Sequence, residues 1–461
     1  MYDATFSLPG HTMIEHSLSV PLDRFGALSR FAADEAAAIP EKIELFAREY
    51  VRHGNEKLPR LVYFQGGPGF GGPRMAPIGS WLDTALNHYR VVLLDERGTG
   101  RSHPIEAQAV SAVGPTPVQA AFISCFRQDS IAADAEDLRL AFGGDPWAVL
   151  GQSFGGFVVT ACLSQAPQGL SEAFITAGLP SVDGRADDVY RLTYAQTDVR
   201  NREFFDRYPG DESVAWSVAK HLADVEERLP TGERLTPGRF RQIGICLGRS
   251  YGLEQLHFLL EDPFWTVRGA RRLRPQFLDR IGAQVSLAPA PLYGVMHEAI
   301  YAQASTGATA WSADRIRGEF PQFRLPDVAV GAAAESELEA EGRGFRFTGE
   351  HMYPWQMRED PALAPIADAA DALAADPSLR RLYDTEALAA NGAAVGRDAT
   401  AARVPAAAWV YKQDMFVPYS ISMETARLAG FRTLVSDTFH HDGLHSGGPQ
   451  MILKLIEAVR G

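Results

Sequence analysis

Read for its pattern of apolar and polar positions, the chain opens with short β-rich runs, passes through a long stretch of helical spacing, and returns to apolar runs near its end. His11–Pro21 and Lys42–Tyr50 have the pattern of an opening antiparallel pair. Arg60–Phe64, Tyr89–Leu94, Trp147–Leu150 and Ala173–Thr176 follow, each apolar and each ending in a Gly-rich or polar turn. Between them, Ser130–Phe142 and Phe154–Gln165 repeat apolar residues at helical period. Strands alternating with helices predict a mostly parallel sheet covered on both faces. In such sheets ligands bind beyond the carboxyl ends of the strands, so the turns there are where chemistry is expected.

From about Leu179 to Val404 the character changes. Residues 185–260 are rich in Arg, Glu and Leu, residues 331–400 are rich in Ala and acids, and the Arg-dense VRGARRLR (267–274) reads with them as solvated helix. Ala406–Tyr411 and Thr433–Val435 then read as buried strands, and Gly448–Arg460 as a closing helix. The expected fold class is α/β: a core of residues 1–180 and 401–461, with a mainly helical cap, residues 181–400, inserted before the last strands.

Composition narrows the function. Apolar residues make up 46% of the 461-residue chain, enough for a sizeable core. The formal charge of −13 argues against nucleic-acid binding and against docking on an anionic membrane, and leaves room for cationic ligands. Cys125, Cys162 and Cys246 are far apart and in no metal-like spacing, which fits a reducing compartment; Cys162 reads as core. The first thirty residues hold no apolar run suited to a signal peptide, and no uninterrupted apolar stretch reaches the roughly 18 residues of a membrane span. A soluble, cytoplasmic protein without metal or cofactor is expected.

The turns supply the chemistry. Trp147–Leu150 runs into GQSFGG (151–156) and then into an apolar helix, which is the strand–turn–helix setting of a nucleophile elbow centred on Ser153. Gly151 and Gly155 let strand and helix pack closely around a strained serine, and the amide of Phe154 opens the helix where an oxyanion would form. QGGPGFGG (65–72) follows the strand Arg60–Phe64 and exposes further amides, Gly67 among them, for the other half of an oxyanion hole. A phosphate loop is the competing reading, but the G-K-[ST] ending is missing. In DERGTGRS (95–102), Asp95 and Arg97 read as a buried ion pair that shapes the loop.

A serine nucleophile of this kind is followed along the chain by an acid and then a histidine. The run Ala406–Tyr411 leads to KQDMFVP and Asp414; Thr433–Val435 leads to SDTFHHDGLHSGG, with His440, His441 and His445. Spacing alone does not choose among the three. Gly443 just after His441 suggests a tight turn presenting that ring. Asp437 and Asp442 lie too near the histidines in sequence to replace Asp414.

The set GGPG (66–69), DERGTGRS, GQSFGG, DMFVP (414–418) and HDGL (441–444) resembles the proline iminopeptidase (prolyl aminopeptidase) family, serine peptidases of α/β-hydrolase fold. LYGVMHEAIYAQ (292–303) and FTGEHMYPW (347–355) look like cap signatures of that family's longer subtype. Three positions depart from the family pattern: His351 and Gln356 stand where aliphatic residues are usual, and His445 where an arginine is usual. The resemblance implies release of N-terminal proline from a peptide or aminoacyl substrate with a free imino terminus, with Ser153, His441 and Asp414 as catalytic residues and the amides of Gly67 and Phe154 on the oxyanion. A cationic imino group needs carboxylates and a pyrrolidine ring needs aromatic walls. Glu298 and Glu350 are the candidates for the first, with Tyr293, Tyr301, Tyr353 and Trp355 flanking them, and His297 reads as a structural neighbour. The rival readings are a small-molecule esterase or amidase of the same fold, and a non-catalytic ligand-binding member.

Overall fold

The computed structural model describes residues 2–461 except 33, 37, 75–78, 325–335, 338, 343 and 394–403. Among the described residues, nine strands form one sheet in the order β1-β2-β3-β5-β4-β6-β7-β10-β11. They are β1 (Tyr2–Leu8), β2 (His11–Pro21), β3 (Lys42–Arg52), β4 (Arg60–Phe64), β5 (Arg90–Asp95), β6 (Trp147–Gln152), β7 (Leu170–Thr176), β10 (Ala406–Tyr411) and β11 (Arg432–Ser436), with β8 (Phe264–Val267) and β9 (Ala270–Leu273) forming a separate hairpin. The first three strands and the β3–β5 contact are antiparallel. From β5 to β11 every pairing is parallel.

Side-chain alternation explains why both faces are covered. Along β4, Val62 and Phe64 enter one apolar cluster while Leu61 and Tyr63 enter the other. The first cluster takes Ile131 and Leu138 of helix Gln128–Ala141 and Phe157, Val158 and Ala161 of helix Phe154–Gln165. The second is closed by Trp81 and Leu82 on one helix and by Met451, Ile452 and Leu455 of helix Gln450–Arg460. Strand order reverses at β4, which lies between β5 and β6. The register Phe64↔Gly151 therefore brings the loop after β4 beside the turn after β6.

Three readings of the sequence change. The opening pair is a three-stranded ribbon, because Pro9-Gly10 turns β1 back on β2 with Leu8 opposite His11. The strand around Thr433–Val435 is the sheet edge, not a buried strand, and Val435 is exposed. VRGARRLR is no helix: Arg268 and Gly269 both have positive φ, 49° and 80°, and form the two-residue turn of the β8–β9 hairpin. Among the described residues, three of its four arginines have partners, Arg271 lying over the Phe264 ring, Arg272 on Glu227 and Arg274 on Asp262.

Between β7 and β10 the described residues are mainly helical. Helix Ala186–Arg207 is more than a solvated face, since Tyr190, Tyr194, Arg200 and Asn201 are buried. Of the acid- and Ala-rich stretch, residues 331–335, 338, 343 and 394–400 lie outside the described residues, as does the boundary expected at 400–401. Among the described residues no helix is long and apolar enough to cross a membrane.

Candidate active site

β6 ends at Gln152, and helix Phe154–Gln165 begins two residues later. Ser153 joins them at φ 56° and ψ −125°, a region that a non-glycine residue occupies only when its surroundings hold it. The hold is visible in its backbone: the Ser153 amide donates to the Thr176 carbonyl at 3.0 Å, and its carbonyl accepts from the Gly156 amide at 2.8 Å. A β-carbon on Gly151 would lie 2.1 Å from the Gly155 carbonyl oxygen, and one on Gly155 equally close to that of Phe64. Only glycine permits strand and helix to approach this far. The loop after β4 closes on the same point, for a β-carbon on Gly66 would meet the Ser153 Cβ at 2.9 Å. Gly67 follows at φ 147°.

Asp414 lies in the turn after β10. Its Oδ1 accepts the amides of Phe416 and Val417 at 2.9 and 3.0 Å, which fixes the carboxylate, and its Oδ2 lies 2.8 Å from Nδ1 of His441. Burial opposes a charge on the His441 ring, but Asp414, through charge and hydrogen bond, and Glu350 outweigh it, so its pKa is raised. The contact with Asp414 separates the three histidines. Among the described residues no carboxylate is hydrogen-bonded to the ring of His440 or His445, and burial lowers both pKa values. Asp442 is engaged elsewhere, its Oδ1 accepting from the amide and hydroxyl of Ser250.

Ser153 and His441 line one cavity of about 640 Å³, together with Gln65, Gly67, Phe70, Tyr293, Glu350 and Phe416. The Tyr293 hydroxyl donates to Oε1 of Glu350 at 2.6 Å, and Nε2 of His297 lies 3.9 Å from Oε2. Burial pushes Glu350 up to about 7, against the pull of His441 and Tyr293. Buried His297 is pushed down to about 3 and is a neutral ring at physiological pH.

The other expected pocket residues sit elsewhere. Glu298 is not among the lining residues: its two carboxylate oxygens accept the amides of Ser312 and Ala313 at 2.9 and 2.8 Å, so it caps helix Ser312–Arg317. Tyr301 packs edge-on against Phe157 and Tyr190, and Tyr353 gives its hydroxyl to a bond with that of Tyr194 while stacking on Trp355. None of the three aromatics lines the cavity; Phe70, Tyr293 and Phe416 do. Phe70 and Phe416 belong to the motif strings QGGPGFGG and DMFVP, so proximity to those turns was the available signal. Asp95 and Arg97 do not pair with each other. Arg97 holds Asp134 with two bonds of 2.6 Å, and Asp95 pairs with Arg74.

The α/β-hydrolase fold family matches residues 59–244, which include β4 and the turn at Ser153. A proline iminopeptidase from Aeromonas sobria is 38% identical over 449 residues, 96% of either chain. The chain belongs to the proline iminopeptidase family. A second relative in this family, proline iminopeptidase aneH from Aspergillus aculeatus, is 30% identical over 427 residues, 90% of this chain and 88% of that one. Among solved structures, the chain is similar to a proline iminopeptidase-related protein from Thermus thermophilus at 14% identity and a TM-score of 0.40, covering 96% and 98% of the two chains, a likeness too distant to add to the argument. This family member is thus a hydrolase of α/β-hydrolase fold.

Proposed function

We propose that the enzyme is a serine exopeptidase that releases N-terminal proline by acyl transfer. The observation that carries this reading is one cavity walled by Ser153, by the histidine bound to Asp414, and by a part-buried glutamate, Glu350. With Nδ1 of His441 held by Asp414, Nε2 is the nitrogen left to take the Ser153 proton as Oγ attacks the prolyl carbonyl. The amides of Gly67 and Phe154 receive the oxyanion. His441 then gives its proton to the departing amine, and water enters by the same route to free proline from Ser153. Asp414 keeps the tautomer and stabilises the imidazolium.

Glu350 sets the register. A prolyl nitrogen is one carbon away from the carbonyl under attack, so a carboxylate that binds the cation beside Ser153 leaves room for a single residue before the scissile bond. The core, residues 1–180 and 401–461, would hold the chemistry, and the cap, residues 181–400, the amine pocket. The three cysteines are free and buried, which supports a reducing compartment and a place in the cytoplasm.

The test compares proline anilide with its N-acetylated form and follows Ser153 with a fluorophosphonate label. Labelling of Ser153 and turnover of the free imine alone are expected. Equal turnover of the blocked anilide would make the protein a general amidase, and absence of label would remove Ser153 from the chemistry.

A further inference from the structure

Besides Glu350 and the residues around the catalytic histidine, the cavity has one further charged group on its wall, Arg249. It is exposed, and among the described residues no carboxylate lies within ion-pair distance of it. Its charge is felt by Glu350 and by the Tyr293 hydroxyl across the cavity, drawing both toward ionisation.

The backbone around Arg249 says which side of the cavity it serves. The Gly248 carbonyl accepts the His441 amide at 3.2 Å, and the Ser250 amide donates to Oδ1 of Asp442 at 2.9 Å. Arg249 thus stands between two residues anchored to the His441 loop. A catalytic histidine hands its proton to the amine that leaves, so the chain beyond the scissile bond departs on its side. The neighbouring wall carries the uncharged Gln255, Gln284 and Ser286. Asp442, the acid on that side, has one oxygen committed to Ser250.

One anionic group on the imino side of Ser153 and one unpaired cationic group on the leaving side complement a zwitterion. A dipeptide extends at most about 7 Å, so its two termini carry opposite charges at close range. We infer that Arg249 binds the free C-terminal carboxylate of the substrate and that the enzyme selects short peptides, proline-headed dipeptides above all. This inference rests on the prolyl exopeptidase reading, and the experiment keeps the two apart.

The measurement is kcat/KM for Pro-Gly and for Pro-Gly-amide, which differ only in the carboxylate, with proline anilide as reference. The wild-type enzyme is expected to favour Pro-Gly by about tenfold or more, as a charge-assisted contact would give. That ratio should shrink in high salt, since Arg249 is exposed. In Arg249→Gln it should fall close to one, and Arg249→Lys should keep most of it. A wild-type ratio near one, or a ratio unchanged in Arg249→Gln, would overturn the role of Arg249. So would equal losses on both dipeptides with the ratio intact, which would mark a structural residue. Failure of the wild type on the anilide would instead remove the parent reading, whereas turnover of the anilide without preference for Pro-Gly would remove only the role of Arg249.

Discussion

In the proposed mechanism Ser153 Oγ is a competent nucleophile only while His441 is neutral, and Glu350 attracts an imino cation only while it is ionised. Both conditions fail as pH falls: the His441 pKa is raised above its ordinary value, and that of Glu350 is about 7. On a proline substrate kcat/KM should therefore drop on the acid side with a slope approaching two, whereas a small neutral ester, which needs only His441, should show a slope of one. The two groups also act on each other, because the Glu350 charge helps to keep the imidazolium protonated. Glu350→Gln should move the acid limb of ester hydrolysis to lower pH. It should also reduce kcat/KM on proline anilide by about a hundredfold or more, the usual scale for a buried ion left unpaired. A limb that stays in place on the ester would separate Glu350 from His441. Ser153→Ala should reduce either activity by about 10⁴-fold or more, with the fold intact by circular dichroism.

The turn at Ser153 belongs to two elements at once, and its cost is carried by their packing. Gly155→Ala puts a methyl group 2.1 Å from the Phe64 carbonyl oxygen, so β4 and helix Phe154–Gln165 must separate. Loss of fluorophosphonate labelling together with a lower melting temperature is expected; a fully labelled, stable variant would contradict the close approach. Under the adjoining loop, Asp134 accepts from both Arg97 and Arg24 and is itself buried. Asp134→Asn leaves the buried Arg97 guanidinium without its carboxylate, while Arg24 keeps Asp137, and should cost about 3–5 kcal/mol in urea unfolding, with little effect on kcat in the protein that remains folded. The turns that carry Ser153, Gly67, Asp414 and His441 were legible in the sequence as turns, because each is a local string fixed by strand period and turn chemistry. The β8–β9 hairpin was not, since four arginines in eight residues masked the Arg-Gly turn between two short strands. Nor could spacing show that Glu298 turns to the Ser312 and Ala313 amides while Glu350 turns to the cavity. Both sit in aromatic-rich strings between β7 and β10, and only packing between distant segments tells them apart. On this placement Glu298→Gln should weaken the cap helix and lower thermal stability, without the selective loss on proline substrates expected of Glu350→Gln.

At the scale of the whole molecule, Ser153, Asp414 and His441 come from loops at the ends of β6, β10 and β11, while Glu350, Tyr293 and His297 come from the segment between β7 and β10. A serine and a glutamate from separate parts of the chain can define a one-residue register only if those parts are locked together. One apolar cluster runs through both, joining Val62 and Phe154 to Leu292 and Phe345. The polar part of the lock is at the start of helix Gln128–Ala141. Buried Arg127 donates to the carbonyls of Ala299, at 3.0 Å, and of Ala302, and the Gln128 side chain donates to that of Ile300 at 2.8 Å. Those carbonyls follow directly on His297 and Glu298. Arg127→Met keeps much of the side-chain volume but leaves buried carbonyls without donors, each worth about 1–3 kcal/mol when unsatisfied. The variant should lose about 3 kcal/mol in urea unfolding. Its KM for proline anilide should rise about tenfold as Glu350 loses its fixed distance from Ser153, while hydrolysis of a neutral ester stays within about threefold, because Ser153, His441 and Asp414 stand on loops at strand ends and make no hydrogen bond with Arg127. Equal losses on the two substrates would mean that Arg127 supports the catalytic groups themselves. An unchanged KM in a destabilised protein would mean that the apolar cluster alone holds the amine pocket in register.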